Sequence, residues 1–138
     1  LPRLALDASA LLAYLQNEPG ADAVAEAIAA GATISTVNLA EALSTLAMLG
    51  LAPRRAFTEL TERGILGGAV SVEPFQVADA IEAARLRPLT IEAGLSLGDR
   101  ACIAQAARLG AEVVTADRAW AGLELPVRVR QIREPRGQ

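Results

Sequence analysis

R-L-A-L-D-A-S-A-L-L-A-Y-L, residues 3–15, reads as a short buried strand that ends at an acid and turns at once into a helix. Arg3 to Asp7 is the strand. Ser9 to about Gln16 is apolar at helical spacing, with Leu11, Leu12 and Leu15 on one face. Asn17-Glu18-Pro19-Gly20 is a turn signal. The same form returns near the end of the chain, where A-E-V-V-T-A-D, residues 111–117, is a strand ending at Asp117 and followed by a short helix over 118–121. Between these units the periodicity keeps switching. A helix is expected over 21–30, stopped by Gly31, then a strand over 33–35. Helices follow over 37–49, closed by Gly50, and from Pro53 to about Leu66. A strand over 70–73 precedes a helix over 75–87, ended by Pro88. Residues 89–97 read as irregular, and 98–109 as a helix capped by Gly110. Val127 to Ile132 alternates strictly and is expected to be a strand with one wet face. Strands alternating with helices from end to end predict an α/β fold. It is a three-layer sandwich with a mostly parallel central sheet of about five short strands. With no repeat or linker, residues 1–138 are expected to form a single domain.

Composition narrows the chemistry. Of the 138 residues, 52% are apolar and 3% aromatic, so aromatic platforms for base stacking are disfavoured. The single cysteine, Cys102, excludes an internal disulfide and a multi-cysteine zinc site. Histidine is absent, which removes imidazole acid–base catalysis and the Ser-His-Asp triad. All 13 basic residues are arginine, so a Schiff-base lysine and a Walker A loop are excluded as well. Carboxylates, hydroxyls, amides and arginine remain. Any enzyme built from these is expected to work through a carboxylate-held metal. No apolar run suggests a membrane span and no signal peptide is visible, so a cytoplasmic location is expected.

Four acids fall at comparable places. Asp7 and Asp117 follow strands and start helices, while Glu41 and Asp99 lie in the first turns of helices. Each has a local explanation. Asp7 and Asp117 suit plain N-caps, and Asn38-x-x-Glu41 and Ser96-x-x-Asp99 resemble capping boxes. Taken together they point elsewhere, because ligands of open parallel sheets bind beyond the carboxyl ends of the strands. Two unit charges about 4 Å apart repel by about 4 kcal/mol at an effective dielectric of about 20. A helix dipole offsets only about 0.3–1 kcal/mol. Converging carboxylates must therefore take up protons or bind a hard cation such as Mg²⁺ or Mn²⁺.

The ordered motifs resemble those of PIN-domain proteins. L-A-L-D-A-S-A-L-L-A-Y-L (4–15) resembles the family's first strand and helix. T-V-N-L-A-E-A-L (36–43) carries the second acid, Glu41. L-S-L-G-D-R-A-C-I-A-Q-A (95–106) carries the third, Asp99, and V-V-T-A-D-R-A-W (113–120) the fourth, Asp117. The short length points to the VapC-type toxins within that family. The resemblance implies a Mg²⁺- or Mn²⁺-dependent endoribonuclease, a homodimer, and a small antitoxin partner whose tail blocks the site. It also implies that Ser9 and Thr115 support the acids or the metal with hydroxyls, and that Asn38 is a polar neighbour of the site. Many relatives carry a further acid a few residues beyond the third motif, where this chain has Ile103 and Gln105. One ion is then held more firmly than two.

The expected metal ligands are Asp7, Glu41, Asp99 and Asp117. A water activated by the ion would attack the phosphodiester in line, leaving a 5′-phosphate and a 3′-hydroxyl. Arg128 and Arg130 lie on the wet face of the last strand, as RNA contacts or as charges protecting a sheet edge. Arg133 and Arg136 continue the basic tail, and Arg54 and Arg55 form a second basic point. Arg100 and Arg118 each follow a site acid, to steady it or to touch substrate phosphate. Cys102 and Trp120 are assigned to the core, and Asp79 and Glu82 to a solvent-facing helix surface. The alternative function is a catalytically inactive PIN-like module that binds RNA or protein.

Overall fold

A computed structural model describes residues 3–133. Their elements run β1 (Arg3–Leu6), α1 (Ala8–Leu15), α2 (Ala21–Ala30), β2 (Ala32–Ser35), α3 (Thr36–Met48), α4 (Pro53–Glu62) and β3 (Val70–Glu73). They continue with α5 (Val77–Thr90), α6 (Leu97–Leu109), β4 (Ala111–Thr115), a 3₁₀ turn (Arg118–Trp120) and β5 (Val129–Gln131). The strands form one sheet in the order β3-β2-β1-β4-β5, and every pairing is parallel. The α/β sandwich expected from the sequence is the fold observed.

Strand alternation builds two cores. Leu4, Leu6, Ile34, Val70 and Val114 face one side and pack with Leu11, Val24, Leu39 and Leu60 of the first four helices. Ala5 and Val113 face the other side, against Leu86, Cys102, Ile103, Ala106 and Trp120. Helices cover both faces at the centre of the sheet, so β1, β2 and β4 are largely buried, while the edge strands β3 and β5 carry exposed polar residues such as Ser71, Arg130 and Gln131. Cys102 and Trp120 lie in the core as expected.

The chain steps outward from β1 through β2 to β3, then returns to pair β4 on the other side of β1. The strand order therefore reverses between β1 and β4, and a crevice opens at their carboxyl ends. Asp7 stands at that crevice, its amide donating to the Val114 carbonyl at 3.2 Å.

Three boundaries differ from the expected ones. Helix α4 stops at Glu62, four residues early. Gly64 takes a φ of 75°, and Ile65 and Leu66 drop into the core, with Leu66 bridging to Val70. Helix α5 runs through Pro88 to Thr90. The carbonyl that Pro88 cannot satisfy belongs to Ala84, which is exposed and within reach of water. Strand β5 is three residues long rather than six. Arg136 lies outside the described residues.

Candidate active site at the carboxyl edge of the sheet

Asp7 caps α1 and is 2% exposed. Its Oδ1 accepts from the Ser9 hydroxyl at 2.7 Å and the Ala10 amide at 2.8 Å. Its Oδ2 accepts a short hydrogen bond from the Thr115 hydroxyl. Ser9 Oγ in turn accepts from the Ala116 amide at 2.9 Å, and Thr115 Oγ1 from the Asp117 amide at 3.0 Å. The two hydroxyls thus lock the end of β1 to the end of β4. Burial raises the Asp7 pKa to about 6; the hydrogen bonds from Thr115, Ser9 and Ala10 oppose the rise, and the charge of Asp99 adds to it.

Asp99 completes a capping box on α6. Its Oδ2 accepts from the Ser96 amide at 2.8 Å, and its own amide donates to Ser96 Oγ at 3.1 Å. Burial raises its pKa; the bonds to Ser96 oppose this, Asp117 adds to it, and Arg100 offsets part. Glu41, in the first turns of α3, accepts from Asn38 Nδ2 at 2.9 Å. Burial raises its pKa, against the Asn38 bond and with the charge of Asp99. Asp117 is half-buried and caps the 3₁₀ turn, accepting from the Ala119 amide at 2.8 Å. Asp99 is therefore the hub, repelled in turn by Asp7, Glu41 and Asp117. Cys102 lies fully buried beneath Asp7, Asp99 and Glu41. Burial pushes its thiol well above the usual range and their charges push it further, so it stays protonated and inert.

Asn38 is 1% exposed and ties two helix starts together, its Nδ2 also donating to the Gly98 carbonyl at 3.0 Å. Its Oδ1 is buried with no donor among the described residues. Gly98 has a role that sequence reading missed. A Cβ there would overlap all three atoms of the Glu41 carboxyl group. A glycine in the first turn of a helix, one residue before a site acid, was the available signal. Gln131 was also missed as a site neighbour; its Nε2 donates to the Asp117 carbonyl at 2.9 Å.

The arginines divide. Arg118 is exposed and lines an open cleft of about 590 Å³ with Ser9, Ala116, Asp117 and Arg133. Arg100, expected to steady an acid or meet substrate phosphate, is buried. Its Nη1 donates to the Ala83 carbonyl at 2.8 Å on α5, so its guanidinium is not available to RNA. Arg130 is exposed and pairs with Glu112 at 2.8 Å. Arg128 is exposed and lines a cleft with Gly110, Ala111 and Glu112, at the opposite end of the sheet from the acids. Asp79, expected to face solvent, is 1% exposed and receives two hydrogen bonds from Arg108, at 2.7 and 3.0 Å. The helical pattern hid this, because the partner lies on another helix 29 residues away.

Among the described residues, no three acid or cysteine side chains stand close enough to form a ready cation cage. The donors nevertheless suit a hydrated divalent ion. They are oxygens only, three of the four acids are held above their ordinary pKa, and the groups that hold the Asp7 pKa down are neutral donors. Mg²⁺ characteristically keeps several waters and takes one or two carboxylates directly.

A parallel sheet with acids at its carboxyl edge defines the class, and comparison with known proteins agrees. The sequence matches the family model of the PIN domain over residues 4–124, and the chain belongs to that family. No curated protein matches it. Among solved structures it is similar to a chain of DNA-bound VapBC from Salmonella typhimurium, with 19% identity and a TM-score of 0.69. That match covers 96% of this chain and 99% of the other. A chain of FitAcB from Neisseria gonorrhoeae is 21% identical with a TM-score of 0.68, covering 94% and 97%. A chain of a toxin–antitoxin complex from Klebsiella pneumoniae is 18% identical with a TM-score of 0.64, covering 91% and 98%. At these identities the likeness is one of fold.

Proposed function

We propose that this chain is a Mg²⁺- or Mn²⁺-dependent endoribonuclease and the toxin half of a toxin–antitoxin pair. The reading rests above all on Asp7. It is a buried carboxylate held by neutral hydroxyl and amide donors, with the negative hub Asp99 facing it. Such a site gains a counter-charge by binding one.

Asp7, Asp99, Glu41 and Asp117 would hold the ion. When bound, it would lower the pKa of a water and neutralise charge on the phosphodiester. Ser9 and Thr115 keep both oxygens of Asp7 oriented, and Asn38 holds Glu41 over the first turn of α6. The Ser96 amide fixes Asp99. Histidine is absent, so the chain has no imidazole pair to drive attack by the RNA 2′-hydroxyl, and the expected products are a 5′-phosphate and a 3′-hydroxyl. The structural likeness to chains of toxin–antitoxin complexes supports an antitoxin partner, and family membership supports a homodimer. The whole chain would act as one domain in the cytoplasm. No described helix is long and apolar enough to cross a membrane.

The second reading, a PIN-like module that binds without cleaving, draws on the lack of a ready-made cage among the described residues. One experiment separates the two. Purified protein is incubated with single-stranded RNA in Mg²⁺, with and without chelator, beside Asp99→Asn. Chelator-sensitive cleavage that Asp99→Asn lowers about 10²-fold or more supports the nuclease. RNA retained but uncut under every condition supports the binding module.

A further inference from the structure

The geometry points to Arg133 as a phosphate-binding residue of the cleft beside the acids, taking a backbone phosphate of the RNA that flanks the cut. The inference rests on the ribonuclease reading and deepens it. Of the arginines that follow β4, the alternation singles out Arg128 and Arg130, yet the sheet places those two badly. β5 runs parallel to β4 with Thr115 opposite Gln131, and the Val113 amide donates to the Arg128 carbonyl at 2.9 Å. Arg128 therefore lies beside Glu112 near the start of β4, while Arg133 lies past its carboxyl end. At about 3.3 Å per residue the two are roughly 16 Å apart along the strand direction. Unlike Arg128, Arg133 reaches the edge that carries Asp7 and Asp117, where it lines the cleft together with Arg118.

Arg133 is also held in place. Its Nε donates to the Pro19 carbonyl at 3.1 Å and its Nη2 to Glu18 Oε1 at 3.2 Å, in the turn between α1 and α2. Its amide donates to Gln131 Oε1 at 3.2 Å, and the same Gln131 side chain bonds Asp117. The turn is shaped for this segment. Gly20 has a φ of 97°, and a Cβ there would come within 2.8 Å of the Ile132 carbonyl oxygen. Two of the three guanidinium nitrogens are thus fixed by the turn, and the side chain keeps 27% of its exposure at the cleft of about 590 Å³. A guanidinium fixed on one edge loses little freedom when the remaining edge meets phosphate oxygens.

The competing account is a staple: Arg133 pairs with Glu18 only to pin the end of the chain. The two accounts predict opposite signs for Glu18. As a staple, Glu18→Gln and Arg133→Ala remove the same bond and act alike. As a phosphate contact, Arg133 is relieved of a competing carboxylate by Glu18→Gln.

The test measures equilibrium binding of a fluorescent single-stranded RNA in Mg²⁺ across a salt series. All proteins carry Asp7→Asn to block cleavage, and thermal midpoints confirm folding. Expected are about tenfold weaker binding for Arg133→Ala and a salt slope reduced by about 0.7, the value for one phosphate on a single strand. Glu18→Gln is expected to bind as well as its parent or more tightly, and Arg128→Ala, which removes the same charge from the far end, to stay within twofold. Equal losses for Arg133→Ala and Glu18→Gln, equal losses for Arg133→Ala and Arg128→Ala, or no loss for Arg133→Ala overturn the assignment. Cleavage by protein with Asp7 intact is scored separately. If that fails while the RNA-binding pattern holds, the nuclease reading is lost and Arg133 is kept.

Discussion

Two aspartates are buried almost equally, Asp79 at 1% exposure and Asp7 at 2%, and the fold treats them in opposite ways. Burial raises the pKa of Asp79 too, but two hydrogen bonds from Arg108, one from the Gln76 amide and the Arg108 charge outweigh it, leaving the group lowered. For Asp7 burial prevails: its three donors are neutral and Asp99 stands against it, so its pKa stands at about 6. Asp79 is complete within the chain; its ion pair ties the start of α5 to α6. Asp7 has only neutral donors among the groups that lower its pKa. A buried acid that brings its own cation serves the fold, and one held by neutral donors marks a place for a ligand.

The largest expected effect contrasts the two in activity. Asp7→Asn keeps the shape and hydrogen-bond reach of the side chain but removes its charge. Metal-dependent RNA cleavage should fall about 10²-fold or more, measured as kcat/KM. Asp79→Asn should stay within about threefold once corrected for the folded fraction. Comparable losses would erase the distinction. Stability should rank them in reverse. Arg108→Ala leaves a buried carboxylate without its partner and should cost roughly 2–4 kcal/mol in urea unfolding. Asp7→Asn should cost nothing at neutral pH in the absence of divalent ions.

Titration sharpens the contrast. The folded-state pKa of Asp7, about 6, lies above the ordinary 3.8, so between these values the folded protein holds a proton that the unfolded chain releases. Stability from this group is full below about pH 4 and is lost as pH rises through 6, on the order of 1–3 kcal/mol. Asp79 has the reverse sign, its contribution present above the ordinary carboxylate range and lost only as pH falls through its lowered pKa. Thermal unfolding in chelator should therefore give a higher midpoint at pH 5 than at pH 7. Asp7→Asn should flatten that difference, and so should Mg²⁺ bound at the higher pH. A midpoint that rises steadily from pH 5 to 7 would mean that Asp7 is ordinary.

The strand-to-helix switches were legible because β1 and β4 each end at an acid, and the parallel sheet carries those ends to one edge. Ser9, Asn38 and Thr115 were legible through the resemblance to PIN-domain motifs, which implies a hydroxyl at Ser9 and Thr115 and a polar side chain at Asn38. Asp79 was not, since a buried partner on another helix leaves no trace in local periodicity. Arg100 was legible in part: its charge offsets some of the rise at Asp99, but adjacency in sequence does not set direction on a helix, and its guanidinium is turned away from a substrate phosphate. Asp99 faces the crevice while Arg100 turns to α5. The full length of α5 was hidden by Pro88, whose cost depends on which face of the helix meets water.

Glu41 falls between the two aspartates, half-buried with a single neutral donor from Asn38, and Gly98 allows it that position. On helix propensity alone Gly98→Ala should stabilise α6 by up to about 1 kcal/mol. Here the added methyl would occupy the space of the Glu41 carboxyl group, which must swing away from Asp99. The two effects are expected to separate by measurement. The urea midpoint should change little or rise, while Mn²⁺ affinity by calorimetry falls about tenfold, as for loss of a supporting contact around a metal ligand. Asn38→Ala, which removes the amide steering the same carboxylate, should weaken Mn²⁺ in the same direction. If Gly98→Ala binds Mn²⁺ as tightly as its parent, Glu41 takes no part in holding the ion, and that role belongs to Asp7, Asp99 and Asp117 alone.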